Sequence, residues 1–281
     1  MLTINFDLEE FETVEIIPVA DVHIGNPLSQ EGKLKETIDY ILEEPDDPKM
    51  ARICVLNGDL TESVTRSSIG NVFEQTMTPS VQVATMINYL RPLTETSKKY
   101  PKGKILSYCA GNHDSGRYKE TGISASESIA VGLGIEDRYS VNGCYSFINL
   151  KRIQDKTNIA QVTVYNSHMN GGGSTIGGKA NRVSRLGLSG GVIADLCIGS
   201  HVHVPMTFKE DYIYPSLKGN VKQGTITYVI TNAFLAYGDY AQRAGMKPGT
   251  IDVPRVFVRQ GRTRKGEVNQ DGRYIYVECL L

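Results

Sequence analysis

"TVEIIPVADVH", residues 13–23, is an apolar, β-branched run that stops on Asp21-Val22-His23. Its composition reads as a buried strand ending near Asp21. Two further segments have the same form, "MARICVLNGDL" (50–60) and "GKILSYCAGNHD" (103–114). Between them lie two segments of helical spacing. "QEGKLKETIDYILEE" (30–44) sets Leu34, Ile38, Ile41 and Leu42 on one face, and "SVQVATMINYLRPL" (80–93) is the second. Strand, helix, strand, helix, strand predicts a parallel sheet with crossover helices.

The rest of the chain is richer in strands. Candidates are 145–153, 160–168, 194–203, 225–234, 254–260 and 273–281. Alternation in "YSFINL" and "RYIYVECLL" predicts half-exposed, antiparallel strands. No linker or repeat interrupts the chain. The fold class expected is therefore α/β, two mixed sheets packed as a sandwich with helices on the outer faces, in a single domain over 1–281.

Each candidate core strand ends on polar donors: Asp21-Val22-His23, Asn57-Gly58-Asp59, Gly111-Asn112-His113-Asp114, Asn166-Ser167-His168 and His201-Val202-His203. All five histidines of the chain lie at these ends. Sites in open α/β sheets form at the carboxyl ends of the strands. Residues i and i+2 of an extended segment point the same way, so Asp21 and His23 can face one cation. His201 and His203 can do the same, or face two neighbouring cations. Imidazole, carboxylate and amide without thiolate suit Mn²⁺, Fe or Zn²⁺. The donors are too many for one tetrahedral ion and match a two-metal centre of the kind that hydrolyses phosphoesters.

These motifs, in this order, resemble the calcineurin-like metallophosphoesterase superfamily, whose pattern is D-x-H, G-D, G-N-H-[D/E], a lone His and G-H-x-H. The resemblance spans residues 21 to 203. It implies the sandwich fold and a role for each matching residue. Asp21, His23 and His203 would hold one metal, Asn112, His168 and His201 the other, and Asp59 both. His113 would act on the substrate phosphate or the leaving oxygen, and Asp114 would orient His113. The implied reaction is in-line attack by a metal-bridging hydroxide. Two divalent ions are expected, Mn²⁺ first, with Fe, Zn²⁺ or Ni²⁺ as alternatives.

The sequence departs from that pattern in two places. Ser200 stands where the last motif has glycine, which lies one place earlier at Gly199. A modest backbone adjustment is expected there. Glu62 stands where many members carry Asp. "GDLTESV" and "AGNHDSG" differ from the Ser/Thr protein phosphatase branch, while "DVHIG", "GDL" and "GNHD" look closer to the nuclease and phosphodiesterase branches.

The stretch 168–191 is glycine-rich and carries Lys179, Arg182 and Arg185. It reads either as a flexible loop with a surface helix or as a substrate loop whose backbone N–H groups and cations meet phosphate. The basic run 255–267 is either a solvated hairpin or a nucleic-acid contact.

A net charge of −1 excludes a broadly basic nucleic-acid binder. The N-terminus lacks the basic region of a signal peptide, which makes a cytoplasmic, non-membrane protein the expectation. The five cysteines have no C-x-x-C spacing and read as buried core residues. Three functions stay open. The first is a phosphodiesterase on nucleic acid (DNA or RNA) or a nucleotide. The second is a phosphomonoesterase on a small metabolite or phosphoprotein. The third is a non-catalytic subunit of a larger assembly.

Overall fold

The computed structural model describes residues 1–9, 11–66, 72–151, 158–171, 175–215, 219–238, 250–262 and 273–281. In chain order the elements are β1 (Leu2–Glu9), β2 (Thr13–Val19), α1 (Glu31–Leu42), β3 (Met50–Asn57), α2 (Pro79–Leu90), β4 (Ile105–Cys109), α3 (Asn112–Thr121), α4 (Ala125–Leu133), β5 (Tyr139–Ser140), β6 (Cys144–Lys151), β7 (Asn158–Ser167), α5 (Ile176–Ser184), β8 (Leu196–Gly199), β9 (Met206–Pro215), β10 (Val221–Ile230), β11 (Arg255–Arg262) and β12 (Arg273–Leu280).

Two six-stranded sheets result. In one, of order β12-β11-β2-β3-β4-β5, the strands β2 to β5 run parallel, as the strand–helix alternation predicts. The other has the order β1-β6-β7-β8-β10-β9, with β7, β8 and β10 parallel. β6 is antiparallel to β7 but parallel to β1, so only one of its sides matches the antiparallel expectation. β12 is antiparallel to β11.

The sheets pack face to face through Phe6, Ile16, Ile53, Val164, Leu196, Ile198 and Val229, all buried. Each such side chain contributes roughly 1.5–3 kcal/mol by leaving water. A second apolar layer covers the outer face of the first sheet, where Leu34, Ile38 and Ile41 of α1, Met86 and Leu90 of α2, and Ile129 and Leu133 of α4 meet Leu56 and Tyr108. A third joins Val183 of α5 to Cys197, Ile226 and Tyr228. This is the expected sandwich with helices on both outer faces. The cysteines are free thiols, with Cys54, Cys109, Cys144 and Cys197 buried. Among the described residues no helix is long and apolar enough to cross a membrane.

Several strands stop short of their expected ends: β2 at Val19, β4 at Cys109 and β8 at Gly199. The donors therefore lie on loops beyond the strands. This geometry is what builds the site.

Candidate metal centre

Asp21 and His23 follow β2, Asp59 follows β3, Asn112 and His113 begin α3 after β4, His168 follows β7, and His201 and His203 follow β8. Asp21, His23, Asp59, His201 and His203 all have positive φ, between 49° and 78°. The extended i, i+2 geometry expected for the two donor pairs is thus corrected. Left-handed residues turn these loops back across the strand ends. Non-glycine residues adopt this conformation only where their surroundings impose it.

The surroundings are explicit. The Asp21 N–H donates to Gly58 O (3.1 Å), His23 N–H to Asp59 O (3.0 Å) and Phe234 N–H to Asp21 O (3.0 Å). Asp21 Oδ2 accepts from His201 N–H (2.9 Å), and Asp59 Oδ1 from His113 N–H (3.0 Å). Two glycines make the packing possible. A Cβ on Gly58 would stand 2.5 Å from His168 Nδ1, and one on Gly111 would stand 1.9 Å from Asp59 Oδ1.

Among the described residues the donors fall into three groups whose ligand atoms lie within 4.8 Å of one another: Asp21, His23 and His203; Asp59, His168 and His201; and a third, His23, Glu62 and His113, which shares His23 with the first. His203 Nε2 is 3.2 Å from Asp21 Oδ1. His168 Nε2 is 3.0 Å from both Asp59 Oδ2 and Asn112 Oδ1. Asp59 Oδ2 is also 3.9 Å from His23 Nε2, which places this carboxylate between the first two groups. Asp21, Asp59, His23 and His168 are buried.

The donor set fits divalent cations on an independent observation. His23 Nε2 is buried and has no hydrogen-bond partner among the described residues, whereas its Nδ1 bonds Glu62 Oε2 at 2.9 Å. An orphaned ring nitrogen facing two carboxylates is costly unless it ligates.

The electrostatics agree. Burial opposes ionisation of Asp59, yet the His168, His113 and His23 rings hold its carboxyl well below the usual range. Asp21 is likewise lowered against its burial, chiefly by His203 and then His168. Burial would lower His168, but Asp59 raises it to about 9. His201 is lowered by burial and by His168 beside it. Without metal, the raised pKa favours a proton on His168 against Asp59, which a cation held here would displace.

His113 packs edge-to-face on His23, with ring centroids 4.6 Å apart. Its Nδ1 donates to Glu62 O at 2.6 Å. Asp114, expected to orient His113, has its hydrogen bonds elsewhere among the described residues. The carboxylate of Asp114 accepts instead from Gly111 N–H (3.2 Å) and Ser126 N–H (2.9 Å). The reason is local: three residues past the cap of α3, one oxygen of this short carboxylate folds back onto the Gly111 N–H at its own helix start, and the other meets the Ser126 N–H in the first turn of α4.

The three basic residues expected to meet substrate separate. Lys179 reaches the centre, where its ammonium donates to Val202 O (2.9 Å) between His201 and His203. The guanidinium of Arg182 lies against Gly171, where an added Cβ would be 3.0 Å from its Cζ. Arg185 is exposed just beyond α5. Part of the glycine-rich stretch (172–174) and of the basic run (263–267) lies outside the described residues.

Three residues of the site have no role in the motif reading: Glu62, Asn57 and Ser200. Asn57 and Ser200 are buried beneath His168 and bond each other. A buried Asn at the end of an apolar strand is the available sequence signal. Its partner 143 residues away is not readable.

No protein-family model matches the chain, and a search of curated proteins gives no match. Among solved structures the chain is similar to Vps29 of Chaetomium thermophilum, at 10% identity and a TM-score of 0.36 over 95% of each chain. It is also similar to a metallophosphoesterase from Sphaerobacter thermophilus, at 12% identity and a TM-score of 0.35, covering 95% of this chain and 88% of that one. At such values no chemistry is taken from either. The two-sheet sandwich with polar donors at the strand ends therefore stands on this chain's own geometry.

Proposed function

We propose that the protein is a two-metal phosphodiesterase acting on nucleic acid or a nucleotide. The observation that carries this reading is the position of Asp59 Oδ2, 3.0 Å from His168 Nε2 and 3.9 Å from His23 Nε2, within reach of both donor groups. Asp21, His23 and His203 would hold one ion, Asn112, His168 and His201 the other, with Asp59 shared. The all-nitrogen-and-oxygen donor set supports Mn²⁺, with Fe, Zn²⁺ or Ni²⁺ as competitors. When bound, such ions supply Lewis-acid activation of water and of phosphoryl oxygens.

The chain's own groups do the remaining work. Asp21 and Asp59 stay ionised despite burial, which keeps both donor groups anionic. His113, held at Nδ1 by Glu62 O, keeps Nε2 free to meet substrate. Burial alone would strip the ring of its proton. In the metal-free chain the Asp59 and Glu62 carboxylates raise its pKa instead, and the ring's place beside His23 makes His113 the group to donate to the leaving oxygen. Diester preference rests on the motifs, since "DVHIG", "GDL" and "GNHD" look closer to the nuclease and phosphodiesterase branches.

The test compares a bis-aryl phosphate, an aryl monophosphate, cyclic nucleotides and single-stranded DNA in the presence of Mn²⁺. Faster turnover of diesters is expected. A clear preference for the monoester overturns the diester assignment, and no turnover with two metals bound supports a binding subunit.

A further inference from the structure

Ser200, in the position where the resembled motif carries glycine, is fully buried, and its side chain is fully engaged. We propose that Ser200 is a positioning residue: together with Asn57 it fixes a proton on His168 Nδ1 and so commits the Nε2 lone pair to the metal centre.

Ser200 Oγ lies 2.6 Å from Asn57 O, 3.0 Å from Asn57 Nδ2 and 2.8 Å from His168 Nδ1. A hydroxyl has one proton and two lone pairs. The proton goes to Asn57 O, which can only accept. One lone pair takes an Asn57 Nδ2 proton, and the other faces His168 Nδ1. That same Nδ1 stands 2.8 Å from Asn57 O. A ring nitrogen between a carbonyl oxygen and a hydroxyl whose proton is spent meets only acceptors. It must supply the proton itself. His168 Nε2, between Asp59 and Asn112, is then the nitrogen that ligates.

Asn57 is rigid enough to impose this. Its Nδ2 also donates to Ser167 O (3.1 Å), and its Oδ1 accepts from Asn166 Nδ2 (3.1 Å) and Cys109 Sγ (2.9 Å). Asn166 Oδ1 in turn accepts from Ser107 Oγ (2.8 Å). Asn57 and Ser107 belong to one sheet, and Asn166 to the other, with Ser200 just past the end of β8. The network therefore clamps the two sheets directly under His168. Glycine at position 200 would remove the hydroxyl that meets His168 Nδ1.

This inference rests on the metal-centre reading only through metal affinity, and one of its two measurements needs no metal. In metal-free protein, nitrogen-15 NMR reads the exchange rate of the His168 Nδ1–H proton. Calorimetric titration with Mn²⁺ reads affinity. In Ser200→Ala and Ser200→Gly the ring proton is expected to exchange at least several-fold faster and affinity for one ion to fall about tenfold. Ser200→Cys keeps a weaker acceptor of similar shape and is expected to fall between. It also serves if the smaller variants do not fold. Unchanged exchange in every folded variant overturns the proposal, including where affinity falls, because the ring proton would then be held without Ser200. A wild-type protein that binds no Mn²⁺ overturns the proposed function, while the exchange measurement still decides the role of Ser200.

Discussion

His23 and His113 touch edge-to-face, yet their Nδ1 atoms meet different parts of the same residue. His23 bonds the carboxylate of Glu62 and His113 bonds its backbone carbonyl. A carboxylate behind a ring makes it a better ligand, and it also fixes which nitrogen ligates. A neutral carbonyl behind a ring also fixes its tautomer, but it adds less to the basicity of the other nitrogen than a carboxylate does. Glu62 thus gives two adjacent histidines separate tasks. His113→Ala is accordingly expected to keep both metals and to lose turnover by about 10²–10⁴-fold. Metal content by elemental analysis, measured beside hydrolysis, checks this. Loss of metal in the variant would make His113 a ligand, with His23 and Glu62 as its neighbours.

At the scale of the element, α3 shows how a helix can form without an apolar stripe. "NHDSGRYKET" is polar throughout and has no helical periodicity to read, so the sequence left it as the end of a strand. It folds because Asp114 satisfies the Gly111 N–H at one end and Gly122, at φ 69°, closes the other. The same carboxylate ties α3 to Ser126 of α4. Burial, then the nearby Asp59 charge, pushes the Asp114 carboxyl up to about 6. The sign follows. The folded, metal-free chain holds a proton that the unfolded chain has already released, so stability falls as pH rises from about 4 to about 6. Asp114→Asn cannot ionise and is expected to flatten that slope. Urea midpoints of metal-free wild type and variant at pH 4, 5 and 6 measure it, and parallel slopes would count against the assignment.

Across the whole molecule, the legible part is what periodicity and order carry. The helices at 30–44 and 80–93, the parallel strands between them and the donors Asp21 to His203 follow from local sequence. Their long-range consequences do not. The left-handed turns after β2 and β8 exist because distant loops hold them, as when His201 N–H bonds Asp21. β1 and β9 also went unread, although both alternate: Leu2–Glu9 buries Ile4, Phe6 and Leu8 in turn. Edge strands with polar outer faces resemble loops until a neighbouring strand is in place. The two sheets meet the donors at one rim, so bound metal joins loops from both. Chelation is therefore expected to lower the melting temperature reversibly, and added Mn²⁺ to restore it in proportion to the logarithm of its concentration. A melting temperature indifferent to chelator would mean the rim is set without cations.

The positive φ values at Asp21, His23, Asp59, His201 and His203 have one more consequence. Each holds a residue in a conformation that costs on the order of 1–3 kcal/mol and that glycine adopts freely. Exchanging a donor for glycine would delete a ligand and relax the backbone in the same step. Catalytic competence and thermodynamic comfort pull in opposite directions at these five positions, so drift toward an inert but sturdier descendant is downhill unless activity is selected.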